Sequence, residues 1–262
     1  MRSKCSKAIR LALALASASA GLIGLQSVAH AQGVDEFGPY GYDHETTASE
    51  QNMAVELRLG PYRPNIDEEF AGSGQTPYAD HFGNGRRWLL GMEIDWELLK
   101  IPDFGTFGPG AGIGFTKMTG HTFLANGEEA DQTTKLSIIP MYVDAVLRVD
   151  QVAKATPVPL VPYAKLGLGY ALWSTNNGVG VPKAKDGSKG DDTSWGLNWS
   201  LGLMFLLDCL DQQSANALDG THGVNHSYVF LEWYNSELNG FGSGNQMHVG
   251  TNTWMTGIAL EL

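Results

Sequence analysis

The sequence predicts an all-β fold, a closed antiparallel barrel of eight transmembrane strands. Two observations support this prediction: apolar and polar residues alternate in stretches along most of the chain, and turn-rich segments separate those stretches. Residues 88–96 form the clearest stretch. One face carries Trp88, Leu90, Met92, Ile94 and Trp96, and the other carries Gly91, Glu93 and Asp95. This alternation is typical of a strand with one apolar and one polar face.

Two tryptophans delimit the apolar face of this stretch and indicate that it crosses a bilayer. Eight steps of about 3.3 Å, tilted by about 40°, span roughly 20 Å, which is close to the apolar band of an outer membrane. Tryptophan favours the boundary between membrane and water because its ring is apolar and its N–H group is polar. We therefore predict membrane-interface aromatics at Trp88, Trp96, Trp195, Trp233 and Trp254.

Eight alternating stretches make up the predicted barrel. They begin at Met53, Trp88, Ala111, Ile139, Tyr163, Trp195, Tyr228 and Trp254. An even number of strands returns the chain to the side on which it began, so we expect four long connections on the outer side, at residues 61–86, 120–134, 174–193 and 236–251. These predicted surface loops are rich in glycine, asparagine and acidic residues.

The N-terminus carries a second signal. Basic residues within the first ten positions precede an apolar stretch at residues 11–25, and Ala29-His30-Ala31 follows as a small-x-small cleavage pattern. We predict a cleaved signal peptide at residues 1–31, a flexible periplasmic segment at residues 32–51 and an outer-membrane barrel at residues 52–262. Export through the general secretory pathway follows. An uncleaved anchor helix is the alternative interpretation of the first segment.

The charge balance excludes nucleic acid as a partner. The predicted signal peptide carries four of the 17 basic residues and none of the 28 acidic residues, which leaves 13 basic against 28 acidic residues and a net charge of −15. A polyanion of this kind repels phosphate backbones. Cys209 is the one cysteine beyond residue 31, so no internal disulfide is expected in the mature chain.

The polar faces of the strands line the predicted lumen. A sheet in lipid must close, because unpaired backbone groups at an open edge are costly there. Side chains fill an eight-stranded barrel, so glycines such as Gly112 and Gly202 make room for Tyr142 and Tyr163. Buried charges need partners, and we predict a lumen charge network. Its members are Arg58, Glu93, Asp95, Asp144, Arg148, Lys165 and Glu232.

Strand position predicts the pairs within this network. Asp144 and Lys165 lie at equal distances from a turn centred near Lys154, so they are predicted to face each other and pair. The acidic residues of the second strand are predicted to pair with the arginines of the first and fourth strands. The network is interpreted as a plug of satisfied charges, with a gated polar path as the alternative.

Other motifs resemble binding sites, but their sequence context does not support that function. Residues 108–114 are rich in glycine, but they lack the strand–helix unit of a phosphate-binding loop. His222 and His226 are spaced like metal ligands on one helix, but Gly223 interrupts that helix. We expect no metal and no cofactor. Acidic clusters in the loops are interpreted as hydrated surface, with Ca²⁺ binding as the alternative.

One enzymatic hypothesis uses His226, Ser227 and Glu232. Barrel hydrolases that deacylate lipid A employ a serine, a histidine and an acidic partner, and the histidine must reach the hydroxyl. Adjacent residues of a strand point in opposite directions, which separates the base from the nucleophile. We therefore predict no catalytic role.

The chain resembles the small bacterial outer-membrane β-barrel family, of the OmpA and OmpX transmembrane type, over residues 52–262. Its last strand is similar to the assembly signal of that family, polar-x-Gly-x-x-apolar-x-apolar, which falls on Gly257, Leu260 and Leu262. Met255 stands at the polar position, and Leu262 replaces the usual terminal aromatic residue. The resemblance implies recognition by the outer-membrane assembly machinery.

These observations predict location more sharply than activity. We expect a structural or surface-interaction protein of the Gram-negative outer membrane, in contact with outer-membrane lipids and lipopolysaccharide, that exposes four long acidic loops. A narrow channel for small solutes is the alternative, and a lipid A-modifying hydrolase comes third. A soluble lipocalin-like barrel would instead require the tryptophan rows to be buried.

Overall fold

The computed structural model describes residues 52–123, 129–156, 158–176, 190–209, 224–243 and 246–262. The predicted signal peptide, the predicted periplasmic segment and His222 lie outside these residues. Parts of three predicted surface loops do so as well.

The described residues contain nine strands and three short α-helices. The strands are β1 (Met53–Tyr62), β2 (Arg87–Trp96), β3 (Leu99–Ile101), β4 (Gly105–Phe123), β5 (Glu129–Arg148), β6 (Leu160–Asn176), β7 (Asp191–Leu206), β8 (His226–Leu238) and β9 (Thr251–Glu261). The helices are α1 (Ile66–Glu69), α2 (Pro77–Phe82) and α3 (Gln151–Ala155), and 3₁₀ turns occupy Leu207–Cys209 and Gly240–Gly242. Within these residues, no helix is long and apolar enough to cross a membrane.

The strands close into a barrel. Each strand pairs antiparallel with its neighbours, and β1 pairs with both β2 and β9. β2 also pairs with β4, so β3 is a short continuation of β2 rather than a separate member of the ring. The prediction of a closed, antiparallel, eight-stranded barrel is confirmed.

A β-bulge separates β2 from β3. Asp95 faces Gly110, and Leu99 faces Phe107. The five residues from Asp95 to Leu99 therefore lie opposite only four from Gly110 to Phe107, so the β2–β3 side carries one extra residue. A Cβ atom on Gly108 would lie 1.7 Å from the carbonyl oxygen of Trp96. Glycine is therefore required opposite the bulge, where the two backbones approach closely.

The outer wall of the barrel is apolar. Leu166 and Val143 are each 62% exposed, and Trp88 is 68% exposed. We call this surface the apolar belt; its members include Leu57, Leu90, Met92, Ile113, Phe115, Val143, Leu166, Leu168, Leu201, Leu203, Leu231 and Ile258. The tryptophans that a lipocalin-like barrel would bury are outside, so that alternative is wrong.

Two layers fill the interior. We call the end with the β1–β2, β4–β5, β6–β7 and β8–β9 connections the loop end, and the opposite end, where Asn52 donates a backbone hydrogen bond to Leu262, the terminal end. The terminal half holds buried charged side chains beside a smaller apolar cluster, which consists of Val161, Tyr163, Met204, Tyr228, Phe230 and Ala259. The loop half holds an apolar cluster, which consists of Tyr62, Ile66, Tyr78, Leu89, Met118, Leu136, Ile138, Ala171, Tyr234, Leu238, Val249 and Met255.

The first loop closes the loop end of the barrel. Ile66 of α1 and Tyr78 of α2 are both buried in the apolar cluster. The Tyr78 backbone N–H donates to Asp67 Oδ1 over 2.7 Å, which joins the two helices. The backbone N–H of Asn65 donates to the carbonyl of Gly250 over 2.9 Å, which ties the start of α1 to the β8–β9 connection. The two helices therefore cap the lumen.

Candidate functional site

Among the residues that the structure describes, ten buried charged side chains converge in the terminal half of the lumen. The alternation of each strand turns them inward, and each is at most 5% exposed. They are Glu56, Arg58, Glu93, Asp95, Glu97, Asp144, Arg148, Lys165, Glu232 and Glu261. Three cations thus face seven carboxyl groups. We call this set the lumen network.

Arg58 stands at the centre of the lumen network. Its guanidinium contacts the carboxylates of Glu93 and Glu232 and donates to the hydroxyl of Tyr142. The Tyr142 hydroxyl donates in turn to Glu93 Oε2 over 2.8 Å, and the Tyr163 hydroxyl donates to Glu232 Oε2 over 2.8 Å. Buried charge is stabilised when its remaining lone pairs are hydrogen-bonded in this way.

Lys165 connects opposite walls of the barrel. Its ammonium group, on β6, lies 2.8 Å from Glu56 Oε2 on β1 and 2.8 Å from Glu93 Oε1 on β2. Asp95 Oδ2 is 3.4 Å away. Because β6 and these strands are not neighbours in the sheet, the contacts cross the lumen and obstruct it.

Arg148 completes the network nearer the terminal end. It lies 2.9 Å from Glu97, 2.7 Å from Asp95 and 3.3 Å from Glu56. The acidic residues of β2 and of the bulge thus meet arginines of β1 and β5, as their strand positions suggested.

The predicted pair of Asp144 and Lys165 is wrong. Asp144 faces Gly167, and Lys165 faces Val146. The β5–β6 pairing is centred between Ala155 and Thr156, one residue later than predicted, so each residue of β5 faces a position two residues further along β6. Asp144 instead accepts a hydrogen bond of 2.9 Å from Asn198 Nδ2, two strands away across Gly167.

Two glycines accommodate the tyrosines of the network. A Cβ atom on Gly112 would lie 2.2 Å from Tyr142 Cζ, and one on Gly202 would lie 2.3 Å from Tyr163 Cζ. These glycines face the tyrosines on neighbouring strands. The small residues therefore make the space that the aromatic rings fill, as predicted.

The carboxylates of Glu56, Glu93 and Asp95 offer oxygens that lie within 4.8 Å of one another, which is close enough for a metal ion. However, the Lys165 ammonium already lies 2.8 to 3.4 Å from all three residues. A buried cation of the chain itself thus takes the place that a metal would occupy.

A separate polar cluster lies at the terminal end, below the apolar belt. Asp208 Oδ2 is 2.5 Å from His226 Nδ1, and Asp208 Oδ1 accepts from the Ser227 hydroxyl over 3.0 Å. The hydrogen bond to Asp208 raises the pKa of His226 above its usual 6.5. Burial disfavours the charged Asp208, but the hydrogen bonds from His226 and Ser227 outweigh it and lower the pKa of that carboxyl.

This cluster does not form the catalytic site that the hydrolase hypothesis requires. Glu232 contacts Arg58 in the lumen rather than His226. Ser227 and His226 both bind the carboxylate of Asp208, so the serine hydroxyl points to the acid and not to the base. Nucleophilic catalysis needs the base in contact with the hydroxyl. The cluster instead attaches the end of β7 to the start of β8.

The remaining predicted sites lie on the outer wall and on the last strand. Trp88, Trp96, Trp195, Trp233 and Trp254 are 40% to 68% exposed. Trp233 packs against Trp254, with ring centroids 6.4 Å apart. Gly257 approaches β1 so closely that a Cβ atom there would lie 1.9 Å from the carbonyl oxygen of Leu57. Leu260 is 37% exposed, and the Leu262 carbonyl accepts from Asn52.

Sequence reasoning missed the apolar cluster of the loop half. A signal for it was present, because Leu89, Met118, Leu136 and Met255 fall on the otherwise polar faces of their strands. All four are buried in the structure. Glu56 and Glu261 were also not assigned to the predicted network, although both are buried in the lumen.

Comparisons with known proteins concern the barrel fold. No family model and no curated protein sequence matches the chain. The outer membrane protein OprG from Pseudomonas aeruginosa is similar, with 11% identity, coverage of 81% of this chain and 96% of that one, and a TM-score of 0.44. Ail, the attachment invasion locus protein of Yersinia pestis, matches with 12% identity, 81% and 97% coverage and a TM-score of 0.39. The N-terminal β-barrel domain of Pseudomonas aeruginosa OprF matches with 14% identity, 81% and 98% coverage and a TM-score of 0.35.

Proposed function

We propose that this protein spans the outer membrane of a Gram-negative bacterium and acts there as a non-conducting structural or surface-interaction protein. The observation that carries the proposal is an apolar outer wall around a filled interior. A soluble barrel of this size would have the opposite polarity, with its large apolar residues inside.

The apolar belt supports residence in a bilayer. Full burial of one Leu, Val or Phe side chain is worth about 1.5–3 kcal/mol. Leu90, Val143, Leu166 and many similar residues of the belt are more than half exposed to solvent. Leaving the whole belt in water would therefore cost roughly tens of kcal/mol of free energy. Lipid chains that cover the belt remove this cost.

The filled lumen favours a structural role over the alternative of a narrow channel. Met118 and Ile138 are fully buried in the loop half, and the lumen network crosses the terminal half. A hydrated path would need polar groups along the whole axis. We expect no steady current when the folded protein is inserted in planar bilayers, and a reproducible ohmic conductance would refute the non-conducting role.

The proposed topology places the loop end outside the cell. A Cys209→Ser background provides a test, with Ser73→Cys between α1 and α2 and Lys154→Cys in α3 as its matched control. Both residues are exposed, at opposite ends of the barrel. On intact cells, a membrane-impermeant maleimide should label residue 73 and spare residue 154. Equal labelling, or labelling of residue 154 alone, contradicts the orientation.

Insertion itself has an independent test. Spin labels at Val143, Leu168 and Leu203 should respond to oxygen dissolved in lipid rather than to aqueous relaxation agents. Heat-dependent gel migration of outer-membrane extracts should accompany this result. In this proposal residues 1–31 are the cleaved signal peptide for the general secretory pathway, residues 32–51 are the periplasmic segment, and the assembly machinery recognises Gly257, Leu260 and Leu262.

A further inference from the structure

We propose that a polar groove at the loop end binds the phosphorylated sugar headgroup of a glycolipid in the adjacent leaflet. The inference rests on the proposed membrane location and adds a specific site to it. The groove consists of two adjoining cavities of about 320 Å³ and 360 Å³, which share Asn65, Glu68 and Asn252 in their linings. Ligand sites commonly have volumes in this range.

The groove lies directly beside the aromatic part of the apolar belt. Asn252 lines both cavities and accepts a hydrogen bond of 2.7 Å from Trp233 Nε1. Asn235, two positions after Trp233 on the same face of β8, lines the second cavity. Two residues of a strand span about 7 Å. The groove therefore begins where the wall changes from tryptophan to asparagine, at the level where lipid headgroups replace acyl chains.

The first cavity offers the chemistry that binds phosphate. Arg63 and Arg86 both line it, beside the carboxyl groups of Asp67 and Glu68. Arg63 is held by Asp67 at 3.1 Å and lies over the ring of Tyr78, with 5.7 Å between Cζ and the ring centroid. Arg86 donates one hydrogen bond to Thr253 Oγ1 over 3.3 Å. A guanidinium carries five N–H donors in a fork that matches phosphate, so each arginine retains donors for a ligand.

The second cavity offers the chemistry that binds hydroxyl groups. Asn235, Asn239, Glu237 and His248 line it. Amides both donate and accept, and carboxylates accept, so such a lining matches a ring of hydroxyls. A glycerophospholipid carries a phosphate but few hydroxyls and would use only the first cavity. A phosphorylated saccharide uses both, and this favours a glycolipid over other lipids.

The test compares three probes on the purified, folded protein in detergent: diphosphorylated lipid A, the same lipid without phosphates, and phosphatidylglycerol. Arg86→Gln removes one phosphate ligand. Lys135→Gln is the matched control, because Lys135 is an exposed cation near the same end of the barrel, on β5, four strands away from β9. Native mass spectrometry and competition titration give the affinities.

We expect Arg86→Gln to weaken binding of diphosphorylated lipid A about tenfold, and Lys135→Gln to leave it unchanged. Removal of the phosphates should weaken binding similarly and abolish the difference between Arg86→Gln and the parent. Asn235→Ala should weaken both lipid A forms severalfold, which keeps the proposal testable if Arg86→Gln does not fold. Equal effects of the Arg86 and Lys135 variants, or equal competition by phosphatidylglycerol, overturn the proposal.

The same experiment separates this inference from the proposed function. If the protein inserts into bilayers and migrates as a heat-modifiable barrel but shows no preference for lipid A, the groove proposal alone fails. If it does not insert, the proposed membrane location fails first.

Discussion

The first prediction concerns the contribution of Lys165 to stability, because its single ammonium group compensates several carboxylates across the lumen. The substitution Lys165→Met keeps a side chain of similar length and removes the charge. Glu56 and Glu93 would each lose a contact of 2.8 Å, and Asp95 one of 3.4 Å. The side chain of Lys165 is 0% exposed, so water cannot replace it without rearrangement of the lumen.

The expected magnitude follows from the number of partners left behind. Breaking a buried ion pair by removing one partner costs about 3–5 kcal/mol, because the other charge stays buried and uncompensated. Three carboxylates depend on Lys165, although arginines also contact each of them, so we expect a loss of about 4 kcal/mol in the free energy of unfolding. With a urea dependence of about 2 kcal/mol/M, the midpoint should fall by about 2 M.

The assay is urea unfolding of the folded barrel in lipid vesicles, followed by tryptophan fluorescence. Lys117→Met is the control, since Lys117 lies exposed on β4, and it should not lower the midpoint. Adding Glu56→Gln and Glu93→Gln to Lys165→Met should recover part of the loss through coupling within the network. A loss of less than about 1 kcal/mol for Lys165→Met would refute the view that this residue holds the network together.

Three further predictions test other parts of the structure. Gly112→Ala would bring a Cβ atom 2.2 Å from Tyr142 Cζ, and we expect a loss of about 1–3 kcal/mol in urea unfolding. Ile138→Ala, at a fully buried position of the apolar cluster, should cost about 2–5 kcal/mol without producing conductance in planar bilayers. The raised pKa of His226 predicts that its contact with Asp208 stabilises the protein below pH 6.5 and that this contribution is lost as pH rises through the raised value. His226→Gln should abolish that loss between pH 6 and 9, as measured by hydrogen exchange of the neighbouring amides; an unchanged pH profile contradicts it.

Much of the site could be predicted from local alternation. Glu93 and Asp95 are predicted to point inward because they alternate with Met92, Ile94 and Trp96, and this period of two residues is visible within one strand. The same rule places Arg58, Arg148 and Glu232 in the lumen, where each is buried. No knowledge of neighbouring strands is needed for that conclusion.

Partners within the lumen could not be predicted in the same way. The register between β5 and β6 depends on the conformation of the connection that contains α3, and its centre lies one residue later than the pair of Asp144 and Lys165 requires. Lys165 instead reaches strands that are distant in sequence and opposite in the barrel. Such contacts depend on closure, which is a property of all strands together.

The sequence by itself determined the outer face, the inner face and the number of strands, because each follows from short-range alternation and from the lipid that unpaired backbone groups must avoid. The tertiary structure alone decided which charges meet and how the loop half is filled. Leu89 and Met118 break the polar pattern of their strands, and their role emerged only when α1 and α2 folded over them. Packing across the barrel brings together residues that are far apart in the chain, and a local sequence pattern does not predict those contacts.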